Sequence, residues 1–422
     1  MTFEELGLQP RLVEKLAEQG ITDPTPIQVK AIPHGLRGQD VMGLAQTGTG
    51  KTAAFGLPLI QTIMKLGTKP EQKTAHSLIL APTRELAKQI AENLRAYTKG
   101  THLKVNLVVG GASMNPQIKR LSRGSDLLVA TPGRLIDLLE RKAVRLDQTG
   151  FLVLDEADQM LDMGFIHALR RIAPLLPADR QTMLFSATMP KLMNEIAAAY
   201  LTDPVRVETA PPGKPVEKIN QGIHFVAQAE KTSLLIEYLD KHRDELALVF
   251  ARTKHGSERL KKALEAAGFA AGSIHGNKSQ GQRERAIREF AAGDLRVLVA
   301  TDVAARGLDI PGVRHVYNFD LPNVPDNYVH RIGRTARAGA SGTAVAFCSP
   351  AETGELKAVQ KVMGKEIPII GGSPWVAEPG DKPAKPRRRG GKPNGGGGAQ
   401  SRQNPKPSRR RRRKGGRAKQ AA

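Results

Sequence analysis

"VMGLAQTGTGKT", residues 41–52, decides how this chain is read. The apolar run 41–44 makes a short buried strand. It enters a glycine-rich turn, and the pattern beyond Lys51 is helical. Gly50-Lys51-Thr52 matches the end of the phosphate-binding pattern G-x-x-x-x-G-K-[ST], with Ala45 where the strict pattern has its first glycine. Gly48 and Gly50 let the backbone fold tightly, so that amide N–H groups point inward at phosphate oxygens. The start of the helix adds a positive dipole end. Lys51 is expected to reach the β and γ phosphates of a nucleotide, and Thr52 to ligate Mg²⁺. A plain Gly/Thr-rich turn with a solvated lysine is the competing reading. The strand before and the helix after argue against it.

A phosphate loop of this kind needs an acid at the end of a neighbouring strand to hold Mg²⁺. "FLVLDEADQM", residues 151–160, supplies one: Asp155 follows the apolar run directly. Hydrolysis also needs a group to orient and deprotonate water, and Glu156 is the adjacent candidate. Asp158 is read as structural, contacting a second domain. Taken alone, such acids could be helix N-caps. Beside the phosphate loop they read as a metal and water site.

Outward from these two stretches, short β-branched runs alternate with helical patterns. The runs cover 41–45, 77–81, 104–110, 126–130, 151–154 and 182–186, then 222–226, 246–251, 271–276, 296–300, 315–319 and 343–347. This is the mark of parallel α/β domains. "LLVATPGR" (127–134) parallels "VLVATDVAARG" (297–307), so the two sets read as variants of one unit. The Pro-rich stretch "TAPPGKPVEKIN" (209–220) separates them as a hinge linker. The expected domains are 1–208, a linker at 209–218, 219–369, and a tail from 370 to 422. In open parallel sheets, ligands bind beyond the carboxyl ends of the strands. The polar strand-end motifs are therefore where chemistry is sought.

Composition narrows the setting. The chain has 422 residues and one cysteine, Cys348, which excludes disulfide frameworks and cysteine zinc sites. No apolar run approaches the ~18 residues of a membrane span. The acidic start "MTFEELGLQP" lacks a secretory core, so a reducing, cytoplasmic setting is expected. The net charge is +23, and residues 381–422 hold 16 Lys/Arg against one acid. Such a stretch cannot bury a core and reads as disordered, with a polyanion as its natural partner.

Asp-Glu-Ala-Asp after a phosphate loop resembles the DEAD-box family of RNA-dependent ATPases, and further motifs carry the resemblance through nearly all of residues 1–365. They are "GITDPTPIQ" (20–28), "PTRELA" (82–87), "GG" (110–111), "TPGR" (131–134), "SAT" (186–188), "LVFART" (248–253), "HG" (275–276), "QGQR" (280–283), "ATDVAARGLDI" (300–310) and "HRIGRTARAG" (330–339). "MLDMGF" and the Arg/Gly-rich tail look most like the bacterial RhlE subgroup. One departure is Thr335-Ala336, where many members have Thr-Gly. It is read as mild, without loss of function.

The resemblance implies two tandem RecA-like domains and a nucleotide site of Gln46, Thr47, Gly48, Thr49, Gly50, Lys51 and Thr52. Gln28 would read the adenine edge, Phe3 would pack near the base and Asp309 would touch the ribose. Arg334 and Arg337 would be arginine fingers, and Ser186, Thr188, Asp158 and His330 would couple the ATP and RNA sites. RNA would be held by Pro82, Thr83, Arg84, Gly111, Thr131, Pro132, Gly133 and Arg134 from the first domain, and by Arg252 and Thr301 from the second. The implied cofactors are ATP and Mg²⁺, and the implied partner is RNA, bound without base reading. Ribosomal and mRNA-degradation complexes are both open as targets, and no oligomer is evident. A DNA helicase of the same superfamily and an ATP-gated RNA clamp or annealing chaperone are the alternatives. A small-molecule kinase is disfavoured.

Overall fold

The computed structural model describes residues 1–375, apart from 47, 190, 210–218, 306–307, 309, 311 and 337–340. The site residues Thr47, Asp309 and Arg337, the linker from 210 and the tail from 376 lie outside the described residues.

The first sheet is built from β1 (Val41–Leu44), β2 (Ala75–Leu80), β3 (Val105–Val108), β4 (Ser125–Ala130), β5 (Phe151–Leu154), β6 (Gln181–Ser186) and β7 (Val205–Glu208). The second is built from β8 (Ile219–Phe225), β9 (Leu246–Phe250), β10 (Ala271–Ile274), β11 (Val297–Ala300), β12 (Val313–Asn318), β13 (Gly342–Cys348) and β14 (Ile369–Gly371). The orders are β3-β4-β2-β5-β6-β1-β7 and β10-β11-β9-β12-β13-β8-β14, with parallel pairing throughout. Counted from its own first strand, each sheet has the same order, so the internal likeness seen in the sequence is a repeated topology.

Central strands such as "LLVA" and "VLVA" are buried on both faces, as parallel strands between helix layers must be. Phe55, from the helix Lys51–Leu66, packs on Phe185 of β6 with ring centroids 5.6 Å apart. This contact ties the helix behind the phosphate loop to the sheet beneath it. No helix among the described residues is long and apolar enough to cross a membrane.

The expected start of the tail at 370 is corrected. Ile369–Gly371 pairs with β8 at Ile223 and His224, and Trp375 Nε1 donates to the Cys348 carbonyl at 3.0 Å. The strand was missed because its side chains are largely exposed; main-chain pairing along the edge of β8 holds it.

The second sheet carries a buried ion network. Lys231 is fully buried, and its Nζ lies 2.5 Å from Glu352 Oε2 and 2.7 Å from the Phe319 carbonyl. Glu352 also accepts from Leu321 N, Ser349 N, Ser349 Oγ and Arg252 Nη2. Burial alone would raise the Glu352 pKa, but the Lys231 charge and the hydrogen bonds from Lys231 and Ser349 outweigh it and hold the carboxyl below its usual range. A lowered carboxyl pKa stabilises the fold above the unfolded value and loses that contribution as pH falls through the folded one. Thermal melts of wild type and Glu352→Gln should therefore differ most at pH 7 and converge as pH falls below the usual carboxylate range. A gap independent of pH would assign the effect to packing.

Candidate functional site

Three motifs meet at neighbouring strand ends. β6 lies between β1 and β5, so the loop after Leu44, the turn after Ser186 and the acids after Leu154 sit side by side. Gly50 caps the helix Lys51–Leu66 at φ 89°, a left-handed conformation that favours glycine. A Cβ there would stand 2.4 Å from Gln28 Nε2. Gln28 is buried: its Nε2 donates to the Gly50 carbonyl at 3.0 Å, and its Oε1 accepts from Thr25 N at 2.9 Å. The residue expected to read a base edge is thus also the strut between the helix Pro26–Leu36 and the phosphate loop. Thr49 Oγ1 donates to the Gln46 carbonyl at 2.7 Å and tightens the turn.

Lys51 Nζ lies 3.6 Å from Asp155 Oδ1, with both side chains buried. It has no hydrogen-bond partner among the described residues. A buried ammonium normally finds acceptors. One aimed past a helix N-terminus, beside a single carboxylate, suits the oxygens of a phosphate chain. Burial pushes the Asp155 carboxyl up to about 6, against the pull of Lys51 and with the push of the Glu156 charge. A divalent cation would reverse that cost, so Asp155 fits Mg²⁺.

Glu156 is buried at φ 51°, ψ 51°. A non-glycine residue in this region costs ~1–2 kcal/mol. Such strain persists where the surroundings over-determine it, often at functional sites. Here the Glu156 amide donates to Asp155 Oδ1 at 2.9 Å, which helps to hold the turn.

Asp158 joins the motifs. Its Oδ2 accepts from Ala187 N (3.1 Å), Thr188 N (2.8 Å) and Thr188 Oγ1 (2.9 Å). Ser186 Oγ donates to the Thr188 carbonyl at 2.7 Å. From the second sheet's side, His330 Nε2 stands 3.8 Å from the same Asp158 oxygen. Asp158, Ser186, Thr188 and His330 therefore form one cluster that spans both halves.

The RNA candidates of the first half line the ends of β2, β3 and β4. Thr83 caps the helix Arg84–Tyr97 by accepting from Leu86 N, and Pro82 precedes it. Arg84 lies over Gly111, where a Cβ would come within 2.0 Å of Arg84 Nη1 and φ is 74°. Thr131 stands before the helix Pro132–Glu140, Gly133 is exposed, and Arg134 Nη1 donates to the Ala112 carbonyl at 3.0 Å. Thr301 holds the corresponding position after β11.

Three expectations meet a different structure. Phe3 is 1% exposed in the first core, closed in by apolar side chains, and offers no open ring to a base. Arg252 bonds Glu352 Oε1 at 3.1 Å and the Leu321 carbonyl at 3.2 Å, which makes it part of the Lys231 network; its side chain is 34% exposed. Ala336 sits at φ 56°, so replacing the family's glycine is strained rather than mild. Ala336→Gly should stabilise the protein by about 1 kcal/mol, seen as a melting point raised by roughly 2–4 °C. No rise would mean that neighbouring contacts compensate.

Arg334 is buried: its Nη1 donates to the Leu308 carbonyl at 2.7 Å and its Nε to the His330 carbonyl at 3.1 Å. Other contacts between the halves had no assigned role. Arg283 pairs with Glu85 at 3.0 Å with both side chains largely buried, Arg84 Nη1 donates to Gln280 Oε1 at 3.3 Å, and Lys88 lies 3.6 Å from Glu284. The signal for two of these partners was present in "QGQR", where Gln280 and Arg283 lie three apart on one helix face.

Comparison with known proteins agrees with this arrangement. Residues 25–196 match the DEAD/DEAH box helicase family and residues 230–339 the helicase conserved C-terminal domain. The DEAD-box ATP-dependent RNA helicase CshA of Bacillus cereus is 45% identical over 368 residues, which cover 87% of this chain and 69% of that protein. The solved structure of S. cerevisiae Dbp5 bound to RNA and ADP BeF3 overlaps with a TM-score of 0.79 at 32% identity, over 88% of this chain and 95% of that one. Mss116p bound to ssRNA and AMP-PNP gives 0.81 at 28% identity, over 88% of this chain and 79% of that one. With its two repeated sheets, its shared strand-end site and these likenesses, the chain belongs to the DEAD-box family of ATP-dependent RNA helicases.

Proposed function

We propose that this protein hydrolyses ATP when RNA holds its two halves together, and uses that closure to part short stretches of RNA duplex without reading sequence. The observation that carries the reading is the buried Lys51 ammonium at a helix start, 3.6 Å from Asp155, with Asp158 of the same acid run 3.8 Å from His330 of the other half. A TM-score near 0.8 over most of this chain supports a placement of the halves like that in the RNA-bound Dbp5 and Mss116p structures. The present arrangement is therefore read as the closed one.

Lys51 neutralises phosphate oxygens, and Thr52 with Asp155 would hold Mg²⁺. When bound, Mg²⁺ would supply positive charge against the phosphates. Glu156 takes the proton of the attacking water. Arg334 and Arg337, on the far half, add positive charge only when the halves meet. A supplied arginine is worth ~10³–10⁵ in rate in related enzymes, enough to make turnover conditional on closure. Asp158 registers closure by holding Thr188 on one side and facing His330 on the other. Arg84, Gly111 and Thr131 to Arg134 contact the RNA backbone, and the basic tail tethers RNA nearby.

Steady-state ATP turnover, measured without nucleic acid, with single-stranded RNA and with matched DNA, tests this. Strong stimulation by RNA alone is expected. Equal stimulation by DNA, or a high basal rate, would overturn the closure gate. The same assay on a chain lacking residues 381–422 should keep RNA stimulation but need more RNA, with a flatter salt dependence. Loss of stimulation there would favour a clamp dominated by the tail.

A further inference from the structure

A cavity of about 680 Å³ opens beside the outer edge of the first sheet, away from the strand ends that carry the phosphate and RNA motifs. Arg95, Lys104, Lys119, Arg120 and Arg123 line it, all exposed, and no carboxylate does. One wall is the beginning of β3, the terminal strand of its sheet.

Part of the main chain there is available for pairing. Leu127 N donates to the Lys104 carbonyl at 3.0 Å and Thr131 N to the Val108 carbonyl at 3.1 Å. In a parallel ladder each residue directs its N–H and C=O to the same side. Residues 104, 106 and 108 thus face β4, and Val105 and Leu107 direct theirs outward. Arg95 Nη2 meets the Val105 carbonyl on that outer side at 3.3 Å. One step beyond, the Gln117 side chain occupies both main-chain groups of Val109, at 3.1 and 3.2 Å, as a neighbouring strand would.

An open strand edge is completed by an extended chain, whose main-chain bonds give affinity and whose side chains give selectivity. Five cations without an acid select negative side chains. We propose that the outer edge of β3 is the docking site for an acidic peptide segment of a partner protein. The peptide adds as an extra strand, with its carboxylates against Arg95, Lys119, Arg120 and Arg123. The chain's own tail is unsuited, because it holds 16 Lys/Arg against one acid. A nucleic acid would satisfy the cations but not the outward N–H groups of Val105 and Leu107 or the Leu107 carbonyl.

The experiment uses the full chain saturated with single-stranded RNA, which occupies the tail and the RNA face. The probe is a fluorescent heptapeptide of alternating Glu and Val. Hydrogen exchange of the Val105 and Leu107 amides should slow by about tenfold or more when the probe binds. The double variant Lys119→Glu/Arg123→Glu should weaken binding by about tenfold or more while RNA-stimulated ATP turnover is unchanged. A probe N-methylated at alternate residues keeps its charge but loses main-chain donors, and it should no longer protect these amides. Equal binding by the methylated probe, or protection that bypasses β3, would overturn the proposal. Protection of these amides by RNA alone would overturn it in favour of a phosphate track.

Discussion

Glu156→Gln is expected to lower RNA-stimulated ATP turnover by ~10²–10⁴-fold, the usual contribution of a positioned general base. The substitution keeps the size of the side chain and the left-handed backbone at φ 51°, so it removes basicity and little else. Asp155 and Lys51, 3.6 Å apart, remain in place, and with them the groups proposed to hold phosphate and metal. ATP and RNA binding should persist. Because the variant stalls before hydrolysis, the proposed closed arrangement should persist, and the variant should hold RNA longer than wild type. Single-turnover hydrolysis, measured beside RNA dissociation, separates these effects. Unimpaired hydrolysis would take the base role from Glu156. A loss of ATP binding would show that its strained backbone, rather than its carboxylate, shapes the site.

Arg331→Ala should produce the largest loss of stability. Arg331 is 2% exposed. Its Nε and Nη2 grip Asp302 at 2.5 and 2.8 Å, and its Nη1 donates to Asn318 Oδ1 at 3.0 Å and the Asp320 carbonyl at 2.6 Å. The guanidinium also lies 5.0 Å from the centre of the Phe250 ring. Truncation strands Asp302 and two further acceptors and leaves a cavity. Removing one partner of a buried pair costs ~3–5 kcal/mol. The Asp302 side chain is 24% exposed, so water can recover part of its solvation and the lower end of that range is expected. For a domain of this size that is a melting point lower by roughly 6–12 °C. A double variant with Asp302→Ala should recover part of the loss, since the uncompensated charge is then gone. A melting point unmoved by Arg331→Ala would place the anchor of the "HRIGR" stretch elsewhere.

Arg331 also shows where linear reading stops. Within "HRIGR" every basic residue looks equally available for phosphate. His330 faces Asp158 across the cleft, Arg331 is turned back into its own domain, and Arg334 bonds the Leu308 and His330 carbonyls. The helix Asp326–Ile332 rotates successive side chains to different faces, and the surrounding fold decides what each face meets. Arg252 was misread for the same reason: its acceptor Glu352 lies 100 residues away in sequence. The left-handed turn that makes alanine costly at 336 is likewise set by packing, not by the neighbouring letters.

Strand reading succeeded where apolar residues run together, in central strands and in the half-exposed edge β3 alike. Twelve runs correspond to strands of the two sheets; β7 and β14 were missed. Those two occupy the same edge position in the two repeats, β7 beside β1 and β14 beside β8. "VRVE" alternates apolar and charged residues, and "IIG" is three residues between Pro368 and Gly372, so neither gives the longer apolar run of a central strand.

By itself the sequence determined the two parallel α/β units, their repetition, the phosphate loop at 45–52 and the acids at 155–158, because hydrophobic period and local turn chemistry are written in neighbouring residues. Only the tertiary structure decided which charges are used up inside a domain and which face across the cleft. It also decided that Gln28 braces the phosphate loop, that Phe3 is enclosed in the core and that one edge of the first sheet lies open beside five cations. These follow from contacts between residues tens to hundreds of positions apart, where sequence spacing carries no information about distance.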